Sequence, residues 1–395
     1  MKKRQLKIIF ASFLMASAVL SACGSKETSE KPKEEKQEET ANAGESKEEK
    51  AAEEVDFAAS YKEAITELDK AKEKKEVDFV MVTDLYTKNL QSLVQERDAE
   101  VEAQHDQHIT AALKAGQDGS MDPIVVRQIF DKLMQKVFYT TVKHEFTEVG
   151  ENWGKKDAVK EEIEEAKEFY AILKSTVEKR DAAYGTNMVS VIDGGFAEIE
   201  KAVESDDLLA FQLGKQVVDK TLMKTFYLAT GAIPNGYATK AAAEAKENPE
   251  VAKIEQAEGW AFYQSLFKYL NSHAAEDAAL IESQFNLETD VATLDPAAVN
   301  KAFVRGFSKI ALDEYAESLE TWGEDKSPIT ALEGALFIDV IGEDIKGIIG
   351  AEAYQTLTQQ AQTYLEAAKA KDKEAGEPVL AEIQTTLQNV INQAK

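Results

Sequence analysis

One cysteine, Cys23, occurs in the 395 residues, and it stands near the N-terminus. With no second thiol the chain forms no internal disulfide, no thiolate zinc site and no paired-cysteine redox centre. Histidine is almost as scarce: His105, His108, His144 and His273 are the full supply of imidazoles. Glycine and proline number 20 and 7, well below the roughly 12% of an average protein, which argues against a turn-rich all-β fold. Beyond the N-terminal segment, arginine occurs only at Arg97, Arg127, Arg180 and Arg305. Such rare arginines serve as buried ion-pair partners or anion clamps. The 46 basic residues face 72 acidic ones, for a net charge of −26. A polyanion of this kind excludes nucleic acid as a partner, because that binding needs clustered Lys and Arg to displace counterions. Phosphate-cradling, dinucleotide-binding and nucleophile-elbow motifs are absent as well. The expectation is therefore a non-enzymatic protein, with a hydrolase built from scattered glutamates the least favoured alternative.

What is present begins at the N-terminus. Lys2, Lys3, Arg4 and Lys7 precede an apolar run over 8–20, and Leu20-Ser21-Ala22-Cys23 follows. A basic start, a short apolar stretch and small residues describe an export signal rather than a stable span. The tetrapeptide resembles the lipobox of bacterial lipoproteins. That resemblance implies a signal peptide over 1–22, cleavage before Cys23 and a diacylglycerol thioether on its sulfur, often with palmitate or another acyl chain on the new amine. Loss of the four cations takes the formal charge from −26 to −30. Anionic headgroups repel such a body, so acyl chains, at about 0.8 kcal/mol per buried CH₂, must hold it to the membrane. The expected location is the extracytoplasmic face of a cell membrane, in a cell envelope.

Residues 23–54 contain no aromatic side chain and are dominated by Glu, Lys, Ser, Thr and Ala. They cannot bury enough apolar surface to offset chain entropy and read as a disordered charged tether. From residue 55 onward the pattern is helical. Asp122-Pro123, Asn248-Pro249, Asp295-Pro296 and Ser327-Pro328 each set a capping residue before a proline suited to the first helical position. After Pro123 the apolar residues Val126, Phe130, Met134 and Val137 recur every three or four positions, as Val299, Phe303, Phe307 and Ile310 do after Pro296.

The two series also match each other. Asp122, Pro123, Val126, Phe130 and Lys136 correspond to Asp295, Pro296, Val299, Phe303 and Lys309 at one constant offset, and Tyr86 corresponds to Tyr263 at an offset four residues longer. Glu145, Glu148 and Trp153-Gly154 correspond to Glu314, Glu317 and Trp322-Gly323 at an offset four residues shorter. Each step is about one helical turn, which keeps apolar faces in phase. The chain thus predicts an all-α fold of two tandem related helical bundles, an internal repeat over 55–246 and 247–395. The seam between them is the natural place for a ligand. Trp153 and Trp322 are expected to pack where helices end.

Two clusters offer chemistry. Glu102 and His105 are spaced to lie one turn apart on a helix face, with His108 a further turn on. Glu-x-x-His is the spacing of iron-binding bundles, which need two such motifs and two more glutamates; the other reading is a solvated polar face. His144, Glu145 and Glu148 form the second cluster. A zinc-protease helix needs a histidine where Glu148 stands, so that reading fails, and the carboxylates suit hard ions such as ferric iron, calcium or manganese. The matching Asp313, Glu314 and Glu317 leave two options, a retained oxygen-ligand site or, favoured, a retained outer helix face. The glutamate run over 160–168 reads as solvated surface. The two clusters would converge if a short connection over 114–122 made their helices neighbours.

In plan, an anchored body of two related helical halves resembles the imelysin-like lipoproteins, whose association with iron or heme uptake implies a metal or heme ligand. Their hallmark Gly-x-His-x-x-Glu is not matched: Val142 stands two before His144, and the acid Glu148 lies four after it. No residue is carried over from that family. The expected function is a membrane-anchored binding lipoprotein, with iron, heme or a divalent metal as ligand and an envelope protein or transporter as partner. The alternative is an envelope scaffold without a small-molecule site.

Overall fold

A computed structural model describes residues 55–395. The expected signal peptide, Cys23 and the expected tether lie outside the described residues. No strand occurs among the described residues, and the fold is all-α. No helix among them is long and apolar enough to cross a membrane.

The first half runs α1 (Phe57–Leu68), α2 (Phe79–Leu85), α3 (Gln91–Val101) and α4 (His105–Gln117), then the longer α5 (Pro123–Glu151), α6 (Lys156–Tyr184), α7 (Met188–Ser205) and α8 (Leu208–Thr230), and the short α9 (Tyr237–Glu244). The second half runs α10 (Pro249–His273), α11 (Ala275–Phe285), α12 (Pro296–Glu320), α13 (Lys326–Val340), α14 (Gly342–Ile349), α15 (Ala351–Ala370) and α16 (Lys373–Gln393). Two of the four proline signals work as read. Asp122 accepts from Ile124 N at 2.7 Å, and Asp295 accepts from Ala297 N at 2.9 Å and Ala298 N at 3.1 Å. These bonds satisfy amides that have no partner inside the helix. The other two differ. Asn248 makes no side-chain capping bond, and Ser327 lies inside α13, where its carbonyl accepts from Ser318 Oγ at 2.8 Å.

Residues Phe57–Lys395 form one compact unit with one continuous apolar core, from Ala64 to Ala394. The stretches before and after residue 246 pack against each other: α10 packs on both α5 and α8, and α8 packs on α13. Positions that match in sequence have matching surroundings. Tyr86 meets Phe130 edge-on at 6.1 Å and 74°, and Tyr263 meets Phe303 at 5.8 Å and 84°. Apart from any matched position, Phe138 of α5 stacks on Phe169 of α6 and Phe307 of α12 on Phe337 of α13, each at 5.9 Å. Trp153 follows the end of α5 and lies against Phe211, and Trp322 follows α12 and lies against Tyr364. Gly154 and Gly323 both hold φ at +93°, a region that favours glycine.

The central helix α5 departs from an amphipathic design. Arg127, Asp131, Lys132, Gln135, Lys136, Thr140 and Glu145 are all buried along it. Buried polar groups need partners, and α5 finds most of them on its neighbours. Arg127 reaches Asp69 at 2.9 Å and Asp131 at 2.6 Å, Gln135 accepts from Thr176 at 2.7 Å, and Asp219 on α8 accepts from Tyr139 at 2.6 Å. Asp219 also pairs with Lys220 at 2.7 Å, and Lys220 reaches Glu333 on α13 at 3.1 Å. This ion network ties the first half to the second.

Candidate functional site

The first expected cluster does not assemble. Helix α3 stops at Val101, and Glu102 takes a left-handed conformation (φ 52°) that turns its side chain into solvent. His105 then opens a new helix, so the two are not stacked on one face. Instead His105 Nδ1 meets Asp98 Oδ1 at 2.5 Å, while Asp98 Oδ2 accepts from Asp106 N at 2.8 Å. Asp98 thus caps α4 and fixes the imidazole. Burial holds His105 below the ordinary histidine range, against the pull of Asp98. His108 lies edge-on to Trp260 at 5.2 Å, and its Nδ1 has no hydrogen-bond partner. Glu102, His105 and His108 therefore provide no common ligand set.

The second cluster fans out around α5. His144 Nδ1 lies 2.8 Å from Glu100 Oε1 of α3. Glu145 turns the other way, toward Glu162 and Glu165 of α6, and ligand atoms of these three lie within 4.8 Å of one another. They are the one such group among the described residues. Burial pushes the Glu145 carboxyl well above its ordinary range, with Glu162 and Glu165 adding to the shift, and burial pushes Glu165 up to about 7. Glu145 thus holds its proton at neutral pH, and the group does not stand as a fully charged cage. Two residues of the 160–168 run therefore face inward, which corrects the reading of that run as wholly solvated. The matching Glu314 is buried too, accepts from Tyr269 at 2.6 Å and is pushed up to about 7 by burial and then by Glu333. The first member of each recurring acidic pair is not on an outer face: Glu145 and Glu314 are 5% and 7% exposed, while Glu148 and Glu317 are partly exposed. His273 and Asp313 form a separate contact at 3.1 Å.

Glu148 and His144 do share a cleft, of about 590 Å³, between α3, α5, α8 and α10. That volume lies within the range of small-molecule sites. Its inner wall carries Lys136, whose Nζ donates to Thr140 Oγ1 at 2.6 Å. Among the described residues no carboxylate lies within 4 Å of that ammonium. Burial brings the Lys136 pKa down to about 7, and Lys143 and Lys268 add to the fall. Lys143 stands 3.7 Å from Asp219, and Lys268 donates to the Val101 carbonyl at 2.8 Å. Ser265, buried on α10, brings a hydroxyl with no hydrogen-bond partner to the same cleft. Tyr139, Met223 and Tyr269 supply apolar wall. In a chain of net charge −26, this cleft gathers three ammonium groups, an imidazole and a free hydroxyl, with the carboxylates of Glu100, Glu148 and Glu151 also in its lining and Glu100 paired with His144.

In the sequence Lys136 stands only as a repeat position matching Lys309, and Lys268 and Ser265 carry no signal, because no local motif joins α5 to α10. The available signal was the repeat itself, which set a seam between the halves. No protein-family model, curated protein or solved structure matches the chain.

Proposed function

We propose that this protein is a lipid-anchored, extracytoplasmic binding lipoprotein built from two related halves, and that its cleft beside α5 takes a small organic carboxylate. The observation that carries the reading is Lys136, a buried amine with a hydroxyl partner and no acid. A carboxylate would supply the missing counter-charge, Lys143, Lys268 and Ser265 would share its oxygens, and the Tyr139 and Tyr269 rings would flank its carbon frame. The lipobox around Cys23 supports the anchored location. Metal enters this reading in a specific form. Amines do not ligate ferric iron well at neutral pH, so iron would arrive inside an anionic chelate, and heme through its propionates.

The test is a thermal-shift and calorimetry panel on the full chain in detergent, with citrate, ferric citrate, succinate, heme and bare iron. The reading expects stoichiometric binding of carboxylate-bearing ligands that is lost in Lys136→Met. Binding of bare iron alone, unaffected by Lys136→Met, would instead favour the Glu145 trio. Binding of none of them would favour the envelope-scaffold role.

A further inference from the structure

Arg180, near the end of α6, is nine-tenths buried, and its Nε has no hydrogen-bond partner. Among the described residues no carboxylate lies within 4 Å of its guanidinium. Its neighbour is the Tyr237 ring, with the cation 5.8 Å from the ring centre. A desolvated cation without a close counter-charge is costly to keep, and Glu255 on α10 attracts it only at longer range.

Arg180 lines a small polar cavity of about 160 Å³ together with Lys72, Arg127, Lys132, Lys179 and Glu258. Three carboxylates answer these cations. Asp69 takes Lys72 at 2.8 Å and Arg127 at 2.9 Å, Asp131 takes Arg127 at 2.6 Å and Lys132 at 2.8 Å, and Glu258 lies 3.8 Å from Lys132. Lys179, exposed at the rim, has no carboxylate within 4 Å among the described residues. Glu255, near Glu258 on α10, is pushed up to about 7 by burial and then by Glu258, so it is half protonated at neutral pH. Five cations against three close carboxylates and the part-charged Glu255 leave an excess of positive charge. Gln128 accepts from Arg127 Nη1 at 2.7 Å through its Oε1, which leaves its amide N–H groups for a ligand. The cavity shares Arg127, Lys132, Thr176 and Lys179 with a wider groove of about 630 Å³ between α1, α5 and α6, walled in part by Ile65 and Ile172.

We infer that this cavity is a second ligand site, specific for a phosphomonoester dianion: Arg180, Lys179 and Gln128 hold the phosphoryl oxygens, and the organic remainder runs into the groove. A dianion answers this positive excess, and a guanidinium fork matches tetrahedral oxyanion geometry better than an ammonium does. The site shares no lining residue with the Lys136 cleft, so the two stand or fall separately.

The experiment is calorimetry and thermal unfolding of the full chain in detergent with glycerol 3-phosphate, inorganic phosphate and succinate. One saturable site per chain is expected for glycerol 3-phosphate, with weaker binding of phosphate and none of succinate. Arg180→Lys should weaken binding on the order of tenfold, and Arg180→Met should abolish it, while Lys136→Met leaves it unchanged. Without ligand, Arg180→Met should melt at or above the wild type, because it removes an unpaired buried charge. Should Arg180→Met melt lower instead, the rim variant Lys179→Met decides: tenfold weaker binding at an unchanged melting temperature supports the site, and unchanged binding overturns it. Absence of saturable phosphomonoester binding, binding that survives Arg180→Met, or succinate binding of equal strength also overturns it.

Discussion

Lys136 and Thr140, one turn apart on α5, form a 2.6 Å hydrogen bond, and that hydroxyl is the nearest thing to a counter-charge that the ammonium has. Replacing Lys136 by Met removes the cost of a buried amine and keeps its aliphatic length. The variant should gain on the order of 2 kcal/mol at pH 7, measured by denaturant unfolding. It should lose carboxylate binding at the same time. Gain of stability with loss of binding is the mark of a group retained for a ligand.

The same amine sets two pH dependences. Its folded pKa of about 7 lies below the unfolded lysine value near 10.4. Between these values the unfolded chain binds more protons, so Lys136 makes stability rise with pH there. Lys136→Met should flatten that rise between pH 7 and 10. Carboxylate binding needs the charged amine and should weaken as pH climbs from 6 to 8.5, with proton uptake on binding near pH 7.5. Affinity that holds or grows over that range contradicts this assignment.

Glu145 acts with the opposite sign. Its folded pKa is raised, chiefly by burial and then by Glu162 and Glu165, so its contribution is fullest below the ordinary glutamate range and is lost as pH rises. Glu145→Gln keeps a hydrogen-bonding group for Glu162 and removes the charge. The variant should be more stable by about 1 kcal/mol at pH 8 and no different at pH 4. If the trio instead depends on a resident cation, the variant will be less stable at pH 8, and chelator will lower the wild-type melting temperature.

Asp219 carries the structural load between α5, α8 and α13. It accepts from Tyr139 at 2.6 Å and holds the fully buried Lys220 at 2.7 Å. Asp219→Ala removes one of the two carboxylates that hold that ammonium, leaving Glu333 at 3.1 Å, and should cost about 3 kcal/mol in chemical denaturation. Pairing the change with Lys220→Met removes the ammonium as well but takes away the partner of Glu333, so only part of the loss should be recovered. A double variant as unstable as the single one would show that packing, not charge, is at stake.

Much of the fold was legible because it is written in local chemistry. Asp122-Pro123 and Asp295-Pro296 start helices through bonds within three residues, and the apolar period that follows fixes the buried faces. The break at Glu102 was not legible. Its cause is a left-handed turn taken by a non-glycine residue and a cap supplied by Asp98, and neither leaves a pattern at the Glu102–His105 spacing. The acidic pairs at Glu145 and Glu314 read as surface because composition cannot report that burial and proton sharing make a carboxyl tolerable inside. The cleft residues were hidden for a topological reason. Lys136 and Ser265 meet only because α10 packs along α5, and nothing near either residue in the chain encodes that meeting.

The measurement that tests the central claim most directly is calorimetric titration of citrate into the full chain at pH 6.5, for the wild type and for Lys136→Met. One site per chain in the wild type, weakened on the order of a hundredfold in the variant as expected for a lost buried charge-assisted contact, is the predicted result. Equal binding in both proteins, or no saturable binding in either, would contradict the assignment of the cleft.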